Sequence, residues 1–194
     1  MRKGQSNLIE YVLSIFLSLI ILIAVSGIIY SFYTSALRQD TYKSLNAINL
    51  EISSTISKIY QQGKSSTSSP SGSTIILLAS VNLDLPMKIS GKNYEIDLLP
   101  LNPIFATVTN VTSNGANVTM LIQSSGAKII AKTTDNPQVV VSKDLTNIDV
   151  NVQGSTVNGQ NATLRYYRYN FNGTVYDKIV LGGQGIIIDI TQMI

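Results

Sequence analysis

The chain begins with an apolar stretch that is longer than any later one. Residues 11–37 carry no charged side chain, and as a helix these 27 residues would be about 40 Å long. The hydrocarbon core of a bilayer is about 30 Å thick, so the pattern predicts a membrane-spanning helix. Arg2 and Lys3 precede the stretch, which favours a cytoplasmic N terminus and a downstream chain outside the cell.

Helical spacing of apolar positions continues beyond this stretch. Residues that recur every three or four positions form one stripe: Leu37, Thr41, Leu45, Ile48, Ile52, Ile56 and Ile59. Lys43, Glu51 and Lys58 fall off the stripe. One continuous helix over residues 7–62 explains both parts, and its amphipathic outer half must pack against another element. Gly63 is expected to supply the left-handed residue that ends the helix.

A Ser-rich segment, residues 64–74, separates this helix from a chain rich in Ile, Val, Thr and Tyr. The segment has the composition of a flexible linker. Short alternating runs after it predict an antiparallel β domain over residues 75–194. Strands are expected at residues 75–81, 87–90, 94–98, 104–112, 116–123, 128–133, 138–142, 147–153, 162–171, 175–181 and 185–190. The predicted fold class is α+β, with a long N-terminal hydrophobic helix followed by an immunoglobulin-like β-sandwich.

Three short segments of the β domain carry hairpin signals. Asn114-Gly115 and Asn172-Gly173 each join two alternating runs, and Asn-Gly is the preferred pair for a two-residue type I′ turn. Residues 90–93, Ser-Gly-Lys-Asn, are expected to form another hairpin tip. These turns support antiparallel pairing of neighbouring strands.

The composition excludes several kinds of catalytic site. The sequence has no Cys and no His, so disulfides, thiolate zinc sites and histidine-based triads are absent. Asp135, Asp144 and Asp149 are too scattered in the sequence to indicate a calcium site. We therefore expect no enzyme activity, no metal and no cofactor.

The net charge gives little support for nucleic-acid binding. Lys plus Arg total 14 and Asp plus Glu 11, and loss of Arg2 and Lys3 would leave 12 basic against 11 acidic residues. Charged residues make up only 13% of the chain, about half the usual share. The β domain should therefore present a polar but sparsely charged surface, and nucleic acid is not an expected partner.

The order of features around the apolar stretch differs from that of an ordinary secretory signal. In such a signal the cleavage site follows the apolar run, whereas here Lys3-Gly4-Gln5 precedes it. This arrangement resembles the class III signal peptide of archaeal type IV pilin-like proteins, a group that includes pilins and archaellins. The resemblance implies that a prepilin peptidase removes residues 1–4, including Arg2 and Lys3, and leaves Gln5 as the first mature residue. The alternative is an uncleaved signal anchor.

Glu10 would occupy the sixth mature position, whereas many pilins carry Glu at the fifth. In the pilin pattern this carboxylate forms a salt link to the new α-amino group of a neighbouring subunit. Two interpretations stay open for Glu10: the same assembly contact, or a position at headgroup depth, where a carboxylate costs little. Residues 85–98 also resemble archaeal pilin-like proteins, since a Pro precedes an Ile-x-Gly-x-x-Tyr-x-Ile hairpin.

Small residues form a line inside the apolar stretch: Ala24, Gly27, Ser31 and Ser35. In lipid, close approach of helix backbones over small residues is a main source of helix association. The line predicts a bundle of such helices with these residues as contacts. Membrane helices also contain Gly and Ser without such contacts, and this second interpretation stays open.

Four N-x-S/T sequons occur at Asn110, Asn117, Asn161 and Asn172. All four lie in the domain predicted to be outside the cell, so each is a candidate acceptor for an N-linked glycan. Such motifs also arise by chance in chains rich in Asn and Thr, and we expect about two of the four to be used. Asn172 has a second possible role as the first residue of a tight turn.

The run Arg165-Tyr166-Tyr167-Arg168-Tyr169 alternates basic and aromatic residues. One interpretation is a stacking platform for single-stranded nucleic acid or sugars. The other is ordinary strand packing, which places Arg165, Tyr167 and Tyr169 on one face and Tyr166 and Arg168 on the other. The alternation of a strand favours the second interpretation.

Together these features predict a structural subunit. The expected protein is a pilin of an extracellular type IV pilus-like filament, with helices of residues 5–63 in its core and glycosylated β domains on its surface. Its role would be adhesion, cell aggregation or surface attachment. Expected partners are copies of itself, the membrane before assembly, the prepilin peptidase and pilus assembly machinery, and surfaces, glycans or other cells. Alternatives are an archaellin of a motility filament and a monomeric membrane-anchored binding module.

Overall fold

The computed structural model describes residues 2–70, 75–108, 118–160, 162–171 and 173–182. Its internal contacts divide the chain into two compact units, Met1–Asp40 and Thr41–Ile194. The first unit is helical throughout its described residues. The second contains the remainder of the same helix and all the described strands.

Helix α1 runs without interruption over Arg2–Ser65. The prediction of one continuous helix is confirmed, and the helix extends beyond residues 7–62 at both ends. By length and composition, Ile9–Ser65 contains a stretch able to cross a membrane. The long apolar N-terminal helix predicted by the sequence is therefore present.

The role predicted for Gly63 is wrong. Gly63 lies inside α1 and is absent from the glycines with positive φ among the described residues. This position requires glycine for space, because a Cβ built on it would overlap the ring of Tyr166. The helix ends two residues later, where the Ser66 N–H donates a hydrogen bond to the Gly63 carbonyl.

The nine described strands form two sheets. In chain order they are β1 Ile75–Asn82, β2 Tyr94–Pro100, β3 Pro103–Val108, β4 Val118–Ser124, β5 Ala127–Thr133, β6 Val140–Leu145, β7 Asn151–Val157, β8 Thr163–Phe171 and β9 Thr174–Gly182. A seven-stranded sheet has the order β1-β8-β9-β7-β2-β5-β6, and β3 pairs with β4 separately. All pairs are antiparallel except β7 with β9. The predicted α+β class is confirmed.

Within the second unit, the outer half of α1 provides a layer of the core together with the seven-stranded sheet. The stripe predicted from the sequence is buried from Thr41 onward, and its apolar members join one cluster with alternate residues of β2 and β5. Asn49 donates a side-chain hydrogen bond to the Val141 carbonyl of β6 at 3.1 Å. A helix therefore covers apolar sheet surface that a second large sheet would cover in an immunoglobulin-like sandwich.

Two of the predicted strands differ most from those observed, and the strand predicted at 138–142 is observed at Val140–Leu145. Residues 87–90 form no strand: Ile89 and Lys92 make a single bridge around a two-residue turn, in which Ser90 and Gly91 have positive φ. The predicted hairpin tip is therefore present, but its pairing stops after one bridge. The strand predicted at 147–153 begins at Asn151 instead, where pairing with β9 starts. The strand predicted at 185–190 lies outside the described residues.

The turn predictions agree with the strand register. Phe171 pairs with Thr174, so a two-residue connection joins β8 and β9, and Gly173 in it has a φ of 81°. The antiparallel pairing of β3 with β4 agrees with a hairpin around Asn114-Gly115. That turn itself lies outside the described residues.

Candidate assembly surface and helix-end cluster

The first unit exposes a long apolar surface. Every described side chain from residue 9 to residue 37 is exposed, and the large apolar ones range from 38% exposed for Leu37 to 73% for Phe32. Monomeric soluble proteins rarely expose contiguous apolar patches of this extent. Considered by itself, this unit needs lipid or another apolar surface around it.

The predicted assembly residues lie on this exposed helix. At 100° per residue, Ala24, Gly27, Ser31 and Ser35 fall within an arc of about 80°. A Cβ added to Gly27 would meet no described atom within 4 Å. The line of small residues is therefore an open shallow groove on a single helix. Glu10 is exposed near the start of the same helix.

Polar side chains inside the apolar stretch bond to the helix itself. The Ser18 hydroxyl donates to the Ser14 carbonyl at 2.8 Å, and the Thr34 hydroxyl donates to the Tyr30 carbonyl at 3.0 Å. Such bonds to the preceding turn satisfy a hydroxyl without water. These two hydroxyls are thus compatible with an apolar environment.

The remaining predicted site residues are only partly placed. Arg2, Lys3, Gly4 and Gln5 belong to the first turns of α1. The four sequon asparagines lie outside the described residues: Asn110, Asn117, Asn161 and Asn172. Processing and glycosylation therefore stay predictions.

The Arg165–Tyr169 run lies on β8, and its alternation confirms the packing interpretation. Tyr166 is fully buried, and its hydroxyl donates to Asp177 on β9 at 2.8 Å. Arg168 pairs with the same carboxylate, with 2.7 Å from Nε to Oδ1 and 3.0 Å from Nη2 to Oδ2. On the other face Tyr169 stacks on Tyr176 with ring centroids 5.6 Å apart.

Arg168 also bonds to the last turn of α1 and to the residues that follow it. Its Nη2 donates to the Gly63 carbonyl at 3.1 Å, and its Nη1 donates to the carbonyls of Ser66 and Ser68 at 2.8 and 3.1 Å. The last carbonyls of a helix lack partners within the helix and carry partial negative charge. We call Arg168, Asp177, Tyr166 and Gly63 the helix-end cluster.

The electrostatics of this cluster follow from burial and from the ion pair. Burial raises the pKa of Tyr166 well above its usual value, and the hydrogen bond to Asp177 adds to the shift. The hydrogen bond to Asp177 raises the pKa of Arg168 further. Both side chains therefore keep their protons at any physiological pH, so the cluster is a structural contact and not a proton-transfer site.

Sequence reasoning did not find this cluster, although a signal was present. A two-residue turn at Asn172-Gly173 fixes the β8–β9 register and places Asp177 opposite Arg168. The contact with α1 had no sequence signal, because it joins residues more than 100 positions apart.

Other concave regions in the described part of the second unit are modest. One cleft of about 350 Å³ is lined by residues 149–151 and 174–177, and another of about 310 Å³ lies between α1 and the β6–β7 connection. Among the described residues, no three His, Cys, Asp or Glu side chains group closely enough to hold a metal ion.

Comparison with known proteins gives no relative for this chain. No protein-family model, curated protein or solved structure matches it.

Proposed function

We propose that this chain is the structural subunit of an extracellular filament of the type IV pilus kind. The observation that carries the proposal is the exposed apolar helix of residues 9–37, continuous in sequence with the helix that packs against the sheet of the second unit. In the filament, helices of neighbouring subunits bury these apolar side chains against one another. The β domains form the outer surface and contact other cells or solid surfaces.

The resemblance of Lys3-Gly4-Gln5 to a class III signal peptide supports this proposal. Cleavage between Gly4 and Gln5 removes the leader and keeps the apolar helix on the mature protein. A helix retained in this way holds the subunit in the membrane until assembly. Glu10 and the line of small residues then guide helix packing.

The helix-end cluster supports a mechanical role for α1. A subunit joined to its neighbours through its helix must carry force from that helix to its outer domain. Arg168 links β8 and β9 to the last turn of α1 and to the residues just after it, through a charged pair and three carbonyl contacts. Charge-assisted hydrogen bonds of this kind are about twice as strong as neutral ones.

Two measurements on native material test the proposal. Electron microscopy should show surface filaments that an antibody against the β domain decorates and that vanish when the gene is deleted. Intact mass and peptide mapping of those filaments should find Gln5 as the first residue. Protein confined to the membrane fraction as monomers, with Met1 or Arg2 retained, would instead identify a membrane-anchored binding module. Loss of swimming upon deletion would identify an archaellin.

A further inference from the structure

Lys178 is a buried lysine in the middle of β9. Its side chain belongs to a residue that is only 7% exposed, and among the described residues no carboxylate forms an ion pair with its amine. Lysine is rarely buried without a partner, because removing its charge from water is costly. Burial lowers the pKa of Lys178, so a larger fraction of this amine is neutral and able to act as a nucleophile.

Asn151 of β7 lies directly beside Lys178. The two residues are partners in the parallel β7–β9 pair, so their backbones are one strand spacing of about 4.8 Å apart and their side chains share one face of the sheet. The next pair along, Val152 with Ile179, points to the core cluster on the other face. Asn151 is only 4% exposed. A lysine side chain is longer than one strand spacing, so the Lys178 Nζ can reach the Asn151 carboxamide.

A tyrosine hydroxyl orients this carboxamide. The Asn151 side chain forms a hydrogen bond with Tyr169 of β8, and the Tyr169 ring stacks on Tyr176 of β9. Burial raises the pKa of Tyr169, so its hydroxyl keeps its proton beside the carboxamide. The cleft of about 350 Å³ lined by residues 149–151 and 174–177 reaches Asn151 as well. An amine, a carboxamide, a proton donor and an exit for a small product therefore meet on one face of the sheet.

We propose that Lys178 and Asn151 form a covalent amide bond within the chain, which joins β9 to β7. The neutral Nζ attacks Cγ of Asn151, a bond between these two atoms forms, the Cγ–Nδ2 bond breaks, and ammonia leaves. The Tyr169 hydroxyl gives its proton to the departing nitrogen and takes one from Nζ. The reaction changes no oxidation state and consumes no co-reactant. The product is a neutral amide, so the buried charge of Lys178 disappears.

Mass spectrometry of the full chain tests this bond. The chain is produced in a host without prepilin peptidase and N-glycosylation, purified in detergent, and checked for its fold by circular dichroism. Most molecules should have an intact mass lower than the sequence mass by one ammonia. Trypsin should fail to cleave after Lys178 and should release residues 144–165 covalently linked to residues 169–194.

Three variants identify the groups that react. Lys178→Arg should restore the full sequence mass, because a guanidinium stays protonated and does not attack the carboxamide. Tyr169→Phe should slow the loss of ammonia several-fold, measured as the linked fraction against time after purification. Lys132→Arg is the matched control, since Lys132 pairs with Glu95 and Asp97, and it should keep the linked peptides.

Two results would overturn the proposal. The first is a folded chain in which trypsin cleaves after Lys178 and residues 144–165 keep their sequence mass. The second is a loss of ammonia that persists in Lys178→Arg, because Asn114-Gly115 and Asn172-Gly173 can also release ammonia by closing a succinimide. These measurements use an unprocessed chain outside any filament, so failure of the bond would leave the proposed function untouched.

Discussion

At the residue scale, a single arginine, Arg168, joins three elements of the second unit. A guanidinium has five N–H donors, and each nitrogen of Arg168 is used, either by Asp177 or by carbonyls in and just after the last turn of α1. The Arg168 and Asp177 side chains are only 12% and 18% exposed, so water screens the pair weakly. Geometry as well as charge therefore matters at this position.

Arg168→Lys should destabilise the protein by about 2 to 3 kcal/mol, because an ammonium keeps the charge but cannot replace the bidentate pair and the carbonyl bonds. Chemical denaturation of the full chain in detergent, followed by the circular dichroism of the β domain, measures this loss. Arg165→Lys is the matched control on the other face of β8 and should change stability much less. Equal effects of the two variants would show that the helix-end contacts contribute little.

Gly63→Ala should destabilise the protein by about 1 to 3 kcal/mol through overpacking against the Tyr166 ring. The sign of this stability change is informative, because at an open helix position Ala stabilises the helix by about 1 kcal/mol relative to Gly. Thermal unfolding compares the variant with Gly27→Ala, where the structure has space for a Cβ. A Gly63→Ala variant as stable as the control would contradict the close packing of Tyr166 on α1.

Stability should fall in alkaline solution because burial raises the pKa of two tyrosines, Tyr94 and Tyr166. The pKa of Tyr94 is raised to about 12 from 10.0, so between these values the unfolded chain loses the phenolic proton while the folded chain keeps it. Through Tyr94 alone, the folded state is fully favoured below pH 10 and loses about 2 to 3 kcal/mol by pH 12. Burial lowers the pKa of Lys178 below its usual value of 10.5. In a chain without the proposed bond to Asn151, loss of the Lys178 proton therefore raises the stability of the folded state as the pH rises toward 10.5, which is opposite to the effect of Tyr94.

Denaturation midpoints between pH 8 and pH 12 measure how the stability of the folded state changes with pH. Tyr94→Phe should be less stable at neutral pH, because it loses the hydrogen bond that the Tyr94 hydroxyl donates to the Pro86 carbonyl. It should also show a flatter decline above pH 10. A decline as steep as that of the natural chain would assign the alkaline effect to other tyrosines.

At the scale of elements, α1 has different surroundings along its length. From residue 9 to residue 40 all its side chains are exposed, whereas beyond Thr41 one stripe is buried in the core of the second unit. In the proposed function, lipid would already solvate the apolar part before assembly, so apolar burial alone would give no net preference for a filament. Backbone approach over small residues would then be the main source of specificity.

Gly27→Leu should let leader processing proceed but reduce filaments, because the larger side chain fills the groove along Ala24, Gly27, Ser31 and Ser35. A loss of about 1.4 kcal/mol per contact would lower the association constant roughly ten-fold. Filament yield by electron microscopy, with the mature mass as a processing check, measures the effect. The control is Leu22→Phe, which enlarges the opposite face of the helix. The same loss of filaments in both variants would show that the groove does not guide helix packing.

For the whole molecule, the association of subunits that we propose depends on the balance between the two units. The first unit presents apolar surface, and the second has a core of its own and a sparsely charged chain. Burial of a large apolar side chain from water is favourable by about 1.5 to 3 kcal/mol. The helix should therefore dominate association of the free subunit in water.

A fragment that begins at Arg38 should be soluble, β-rich and monomeric. Analytical ultracentrifugation and circular dichroism of the purified fragment measure both properties. Polymers of this fragment would show that β domains associate by themselves, and strand exchange between subunits would then replace helix packing as the assembly principle.

Much of the local structure followed from sequence periodicity. The stripe Leu45, Ile48, Ile52, Ile56 and Ile59 predicted the buried face of α1, and the Asn172-Gly173 pair predicted the β8–β9 hairpin. Both signals act between near neighbours, where side-chain geometry follows directly from helix or strand spacing. The existence of the helix, most strands and the α+β class could therefore be derived from the sequence.

Long-range contacts could be decided only by the tertiary structure. The sequence indicated Gly63 as a helix cap, but the ring of Tyr166, more than 100 residues later, determines why glycine is needed there. Strand order, the parallel β7–β9 pair and the helix layer against the sheet depend in the same way on which apolar faces meet. Sequence periodicity specifies that a face is buried; the partner that buries it is selected by packing of the whole chain, because apolar attraction has no direction of its own.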